Sequence, residues 1–460
     1  MKNDRRKNAS TVIELSLIIL LCTILGVLFA QYCLLKNTAS VSTAIHPDHS
    51  FLQNNDTSSE DDLSSPGIVV PEFVGFVSDS KQLTPVSSDA RRRFISETKP
   101  YILNAFSDIS TVMEFSSESA KNEYVEDLIR QNGSYLYFRF AHDLPAGCFV
   151  PAVGGYTLDN IFHAFNVKDL FVFCSETGEI SGIALDSNGN LASLSVRDRS
   201  SLSFENFSTV DLSDGMARFE FVSFADKKYP VLTSTVAFRN IAAYTDTEDF
   251  TANDDAISSV LDTFGFNPNS TSFYRTEGNI TYVEQAGEFS ISSKGDIRYS
   301  SSGEGIHLSE FLSEQKDTFS FEDKIIAARS IIEHLDKEFF GGYASICLSS
   351  VTYNDKLLTL DFSYMADGIL IEDAKNCATL VFDDSSLTFA TANAKSFARL
   401  DSTHSDIPQK LLFAFSSNRF DEKAPPKGFP TVYSQSENAV YVARSAVLYS
   451  EENSTKEDAR

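Results

Sequence analysis

The first strong pattern in the chain is an apolar run. Leu15 to Leu35 holds 21 residues without a formal charge, interrupted only by weakly polar Cys22, Thr23, Gln31, Tyr32 and Cys33. A helix of that length spans roughly 31 Å, the thickness of a hydrocarbon core. Lys2, Arg5, Arg6 and Lys7 precede it and only Lys36 follows closely, so the positive-inside rule predicts a cytoplasmic N-terminus and an external remainder. A cleaved signal peptide would carry a shorter apolar core ending in small residues, whereas Leu28 lies where such a site wants a small side chain. The pattern therefore predicts an uncleaved anchor. Within it Gly26 and Gln31 are the candidates for contact with a partner helix, Gly through close backbone approach and Gln through a hydrogen bond. The competing reading places Gln31 among headgroups and water.

Beyond the anchor the pattern becomes polar, then alternates. Residues 1–11 read as a basic cytoplasmic tail, 12–35 as the membrane helix, and 36–67 as an acidic Ser-rich stalk with too few apolar residues to fold. Residues 68–247 and 248–450 read as two α+β blocks, and 451–460 as a disordered tail. In the first block a helical region is expected over Ala90 to Gln131, broken at Pro100 and ended at Asn132-Gly133. Aromatic Ser134 to Ala141 reads as a strand, followed by Leu170 to Cys174, Ile180 to Leu185, Leu191 to Val196, Met216 to Phe224 and Val231 to Phe238. Asn188-Gly189 is a hairpin signal.

The second block opens with a helix over Asp254 to Phe264, stopped by Gly265. Turn signals at Glu277-Gly278-Asn279, Ala286-Gly287 and Lys294-Gly295 separate the strands of an antiparallel meander, near Phe273, Ile280 to Glu284, Glu288 to Ser292 and Asp296 to Tyr299. Phe321, Ile325, Ala328, Ile332, Leu335 and Phe339 recur at helical spacing, with a Ser320/Asp323 capping pattern before them and Gly341-Gly342 after. Strands follow at Ser345 to Tyr353, Leu357 to Met365, Thr379 to Phe382 and Leu387 to Ala390. The predicted fold class is α+β: an N-terminal transmembrane helix, then an ectodomain of antiparallel sheets with packed helices.

Composition narrows the partners. The 460 residues carry a formal net charge of −26, with 38 Phe, 17 Tyr and no Trp. Such a surface repels phosphate backbones and anionic lipid surfaces, so nucleic acid is not expected as a partner. The sequence holds no GK[ST] phosphate loop, HExxH, GxSxG or CxxC pair. Seven histidines are scattered; His46 and His49 in the stalk are the closest to a metal-ligand pair and read as solvated. Asp186 to Asn190 resembles a calcium loop loosely, but lacks the Gly at position six and the Glu at position twelve, and reads as a turn. No cofactor, metal or catalytic residue is assigned, and the chain is read as a non-enzyme. Cys148, Cys174, Cys347 and Cys377 are even in number, which permits two disulfides; proximity pairs Cys148 with Cys174 and Cys347 with Cys377 among three connectivities. Four buried thiols are the alternative. Asn55, Asn132, Asn206, Asn269, Asn279 and Asn453 each open an N-x-[ST] triplet, which matters only in a eukaryotic host.

One stretch carries a family resemblance. Ser259 to Tyr299 resembles the YycH/YycI group through Phe264-Gly265-Phe266-Asn267-Pro268, then Tyr282-Val283-Glu284, then Gly295-Asp296-Ile297 with Tyr299. The later Tyr364-Met365-Ala366-Asp367-Gly368-Ile369 and Ala378 to Phe382 are similar to that group's C-terminal strands. The resemblance implies a single-pass membrane protein whose ectodomain lies outside the cell membrane of a Gram-positive host. Its implied partners are a sensor histidine kinase of a two-component system or a paralogous regulator, contacted without catalysis. A surface protein binding peptide, lipid or wall polymer, and an extracytoplasmic hydrolase, are the alternatives.

Overall fold

The computed structural model describes residues 67–446 except 79–80, 107–108, 153–164, 176–178, 196–201, 209, 211, 213–214, 225–226, 245–249, 270–271, 277, 313–315, 317, 338–342, 355, 373–375, 394, 406–407, 418–429 and 437–439. The apolar run with Gly26 and Gln31, the stalk and the tail lie outside the described residues. No described helix is long and apolar enough to cross a membrane.

Among the described residues nine strands make the first sheet: β1 (Pro71–Ser78), β2 (Lys81–Pro85), β3 (Ile109–Met113), β4 (Tyr135–Pro145), β5 (Asn166–Cys174), β6 (Ile180–Leu185), β7 (Leu191–Ser195), β8 (Met216–Phe224) and β9 (Lys227–Leu232). Their order is β3-β7-β6-β5-β4-β1-β2-β8-β9, and the strands pair antiparallel. Helices α1 (Ser88–Ala105) and α2 (Glu118–Asn132) cover opposite faces. Phe94, Tyr101 and Ile102 of α1 share a core with Leu136, Phe138 and Val172. On the other face Tyr124, Leu128 and Ile129 of α2 lie against a core of Tyr135, Tyr137 and Phe173. Burial on both faces explains why Tyr135 to Phe138 reads as a continuous apolar run rather than an alternation.

Two expectations are corrected here. Pro100 does not break the helix; α1 runs through it to Ala105, and the interruption comes after Phe106, where β3 is inserted. An interior Pro costs about 3 kcal/mol, and burial of Phe94, Tyr101, Ile102 and Ala105 outweighs that. Nor is Val231 to Phe238 one strand. Leu232 ends β9, where its N–H donates to Gln409 Oε1 at 2.8 Å, and the chain then enters the other sheet. The end of α2 at Gly133 (φ 68) and the hairpin at Asn188-Gly189 are as expected. In that hairpin Gly189 (φ 85) donates to Asp186 O, and the Asp186 carboxylate accepts from the Asn190 backbone and side chain. Its oxygens hold the turn, which is the reading the spacing favoured.

Among the described residues the second sheet has fourteen strands: β10 (Ala237–Tyr244), β11 (Phe273–Thr276), β12 (Asn279–Glu284), β13 (Gly287–Ser292), β14 (Asp296–Ser301), β15 (Ile306–His307), β16 (Ala344–Asn354), β17 (Leu357–Ala366), β18 (Ile369–Ile371), β19 (Ala378–Phe382), β20 (Ser386–Asn393), β21 (Ser396–Ser405), β22 (Thr431–Gln435) and β23 (Val440–Ser445). Its path is β11-β12-β13-β14-β20-β19-β17-β18-β22-β23-β10-β21, with β15 beside β20 and β16 beside β17. The pairing of β18 with β22 is parallel. Across six strands Tyr282, Phe289, Tyr299, Ala390, Leu380 and Leu360 form one apolar row, while Thr281, Ser290, Arg298, Thr391, Thr379 and Asp361 form the next, on the opposite face.

Helices α3 (Asp254–Thr263) and α4 (Phe321–Leu335) belong to the apolar side, and α5 (Gln409–Ser416) follows later. The end of α3 is a Schellman motif: Phe266 N–H donates to Leu261 O, and Gly265 N–H, at φ 67, to Asp262 O. That motif fixes Phe264 and Phe266 against Phe289 and Tyr299, with centroids 5.1 to 6.1 Å apart. Ser320 and Asp323 close the expected capping box on α4. The helix ends at Leu335; Gly341-Gly342 lies outside the described residues.

Candidate functional site

The most unusual chemistry among the described residues is a set of charges inside the first sheet. It begins with two irregularities. The register of β1 against β4 shifts between Pro71 and Phe73, so Glu72 is the extra residue of a bulge. The register of β4 against β5 shifts between Arg139 and Leu144. Bulges turn side chains away from the regular alternation, and these two bring Glu72, Arg139, Lys168 and Asp169 together. Arg139 Nε lies 3.3 Å from Glu72 Oε1, and its Nη1 lies 3.3 Å from Asp169 Oδ1. Lys168 Nζ lies 3.8 Å from Glu72 Oε1 and donates to Ala141 O at 2.7 Å. Tyr137 Oη donates to Asp169, and the Tyr229 ring lies 5.7 Å from the Arg139 guanidinium.

The four charged side chains are nearly or fully buried, from 7% exposed at Arg139 to 16% at Asp169, and two cations balance two carboxylates. Burial alone would drive a proton from Arg139; Asp169, Tyr137 and Glu72 reverse that and hold it firmly charged. Burial also pushes the Tyr137 hydroxyl well above the usual phenol range, with Asp169 adding to the shift. Lys168 moves down for the same reason of burial, opposed by Glu72. Each carboxylate has a cation beside it. The arrangement fixes geometry where the two bulges bend the sheet.

A second arginine extends this seam to the other sheet. Arg91, in the first turns of α1, donates through Nη2 to Glu72 O and, at 2.8 Å, to Gly368 O. Gly368 (φ 68) and Asp367 (φ 52) are the two-residue turn between β17 and β18, the primed geometry that Asp-Gly favours. Burial lowers the Arg91 guanidinium to about 10, opposed by Asp367 and Glu72. Asp367 in turn accepts the Tyr343 hydroxyl. Beside Arg91 and Arg139 a cleft of about 30 Å³ reaches Leu232, Gln409 and Thr431. That is room for about two waters, against several hundred Å³ in ordinary small-molecule sites. No described group of three or more His, Cys, Asp and Glu is placed to hold a metal.

The four cysteines are free thiols, and the topology keeps the two expected pairs apart. Cys148 follows the Pro145 end of the β4–β5 ladder and Cys174 ends β5 at its Tyr135 end, roughly 25 Å away at 3.3 Å per residue. Cys347 faces Ser363 on β17, and Cys377, just before β19, lies across β17 on its other side. Two strand spacings, about 9.5 Å, exceed the Cα separation of about 7 Å that a disulfide tolerates. Burial pushes the thiols of Cys148, Cys347 and Cys377 upward, which keeps them protonated and unreactive.

None of the charges in the seam was selected from sequence. Arg139 interrupts the aromatic strand Ser134 to Ala141, and Arg91 opens the run Arg91-Arg92-Arg93; those were the available signals. The residues of the family resemblance are elsewhere: Phe264 to Phe266 cap α3, Glu284 accepts from the Asn267 N–H, and Tyr299 donates to Ala286 O at 3.0 Å. Only Asp367-Gly368 touches the seam.

No family model matches the chain, and no curated protein matches it. Among solved structures it is similar to the crystal structure of YycH from Bacillus subtilis, at 12% sequence identity and a TM-score of 0.48, over 86% of this chain and 98% of that one.

Proposed function

We propose that the chain is a membrane-anchored extracytoplasmic regulator that acts on a sensor histidine kinase by protein–protein contact, without catalysis. The observation that carries the contact reading is an exposed apolar edge. Strand β11 ends the second sheet with all four residues exposed, and Phe273, Tyr274 and Val283 of β11 and β12 are 44, 51 and 46% exposed. Large apolar side chains clustered on a sheet edge mark a contact surface. They lie within Ser259 to Tyr299, the stretch whose resemblance suggests the kinase as partner.

The test is crosslinking of full-length protein in native membranes, followed by identification of what is recovered. Recovery of a sensor kinase is expected, reduced severalfold by Phe273→Asp or by a charged residue at Gly26. Recovery of no kinase from wild type would remove the reading and leave the surface-binding alternative.

A further inference from the structure

At the tyrosine that donates to Asp367, two arginines from distant parts of the chain meet one aromatic ring. The Arg92 guanidinium, from α1, lies 5.9 Å from the centroid of Tyr343, and that of Arg399, from β21, lies 5.7 Å from the same centroid. The ring is held at both ends: its hydroxyl donates to Asp367, and the Tyr343 N–H donates to Phe397 O at 2.9 Å. Both arginines are exposed, and among the described residues neither meets a carboxylate within salt-bridge distance. Asp367 takes the tyrosine hydroxyl and faces buried Arg91 instead.

This is an odd arrangement in a chain of net charge −26. The two guanidiniums are at most about 12 Å apart, comparable with the screening length of about 8 Å at physiological salt, so their repulsion is only partly screened. Arg91, Arg92 and Arg93 also begin a helix, where the macrodipole disfavours cations. Contact with a fixed ring offsets part of that cost and limits the motion of both side chains. What remains is a pair of guanidinium forks held against one ring, without a carboxylate partner among the described residues.

We infer that Arg92, Tyr343 and Arg399 form a binding site for a phosphate-bearing anion. A planar carboxylate presents both oxygens to one fork. A tetrahedral phosphate offers oxygens in several directions and so suits more than one fork. The site goes beyond the regulatory reading and does not depend on it. Its phosphate could come from a soluble or polymeric ester or from a lipid headgroup.

The experiment titrates inorganic pyrophosphate into full-length protein held in nanodiscs of neutral phosphatidylcholine. Saturable binding is expected, weakened roughly tenfold by Arg92→Gln and by Arg399→Gln, the loss of one charged hydrogen-bonding group. Tyr343→Phe keeps the ring and is expected to retain most of the affinity. Arg93→Gln, an exposed neighbour on α1, is expected to bind as wild type, and acetate to bind far more weakly than pyrophosphate. In discs containing phosphatidylglycerol, an Arg92-dependent loss of pyrophosphate affinity assigns the site to headgroups, and unchanged affinity assigns it to a soluble or polymeric phosphate. Absence of saturable binding in neutral discs overturns the site. So does binding by the Arg92 and Arg399 variants equal to wild type, or an Arg93→Gln loss as large as theirs.

Discussion

The centres of the two sheets are built differently. At two bulges the first sheet encloses Glu72, Arg139, Lys168 and Asp169. On the apolar side of the second sheet lie Phe289, Tyr299, Leu360 and Leu380, with Ile325, Ile331, Ile332 and Leu335 of α4 in the same core. An apolar face tolerates many fillings of similar volume. A buried ion quartet tolerates almost none, because each charge is held only by its partners. The first half is therefore specified by a few long-range pairs, and the second by a repeating surface. Buried pairs of this kind seldom add net stability; what they enforce is a single register where the sheet bends.

The largest effect expected from breaking that contrast is at Arg139. Arg139→Met keeps the bulk and leaves Glu72 and Asp169 without their shared cation, a loss of about 3–5 kcal/mol. Urea unfolding followed by far-UV circular dichroism would read it. A loss below about 1 kcal/mol would mean that water reaches the quartet and that the first half rests on its aromatic core alone.

The second half has an ionisable group at odds with its own burial. Asp336 lies at the C-terminal end of α4, and burial, with Glu333 adding, raises its carboxyl from 3.8 to about 6. The folded-state value exceeds the unfolded one, so the protonated form favours folding. That contribution is complete below about pH 4 and is lost as pH rises through about 6. Asp336→Asn is expected to flatten the pH dependence of stability across this window and to stabilise at neutral pH, by at most about 3 kcal/mol. An unchanged pH profile would place Asp336 in contact with water.

The same contrast decides what could be read from the chain. The meander, the capping box of Ser320 and Asp323, and the stop at Gly265 were legible because each is a local pattern whose meaning does not depend on distant residues. Glu72 was not legible. Its role follows from a bulge and from Arg91, Arg139 and Lys168, which are 19, 67 and 96 positions away. The boundary between β9 and β10 was misread because Val231 to Phe238 holds no charge, Gly or Pro to mark a break, and Thr233, Ser234 and Thr235 are tolerated in strands. Pro100 misled for the opposite reason: a strong local signal was outweighed by burial of the helix around it. Within residues 396 to 450, read only as part of the second block, no element was assigned, and there β21, β22, β23 and α5 complete the second sheet and the link to β9.

A smaller effect is expected where the halves are joined. Gly368 has φ 68, and a Cβ there would collide with the Arg91 guanidinium. Gly368→Ala should cost about 1–2 kcal/mol from backbone conformation, with a further loss as Arg91 gives up its bond to the turn. If the joint couples the sheets, Arg91→Met should remove most of that further loss in a double-mutant cycle. Additive losses would show that α1 and the turn at 367–368 respond independently.

The smallest effect concerns a part of the second half that depends on no long-range contact. Ser320 accepts from the Asp323 N–H at 3.2 Å, and Asp323 accepts from the Ser320 N–H at 2.8 Å, with Lys316 2.8 Å from the same carboxylate. The carboxyl of Asp323 is lowered despite its burial, because Lys316 and the Ser320 N–H favour the anion. Ser320→Ala removes one of these bonds and should cost about 1 kcal/mol, since the buried face of α4 still anchors the helix. Because that cost is local, it should add to the loss at Arg139 rather than interact with it. A combined loss well above the sum would mean that the helix cap and the ion quartet are energetically coupled across the molecule, and that the cost of losing the cap is not local.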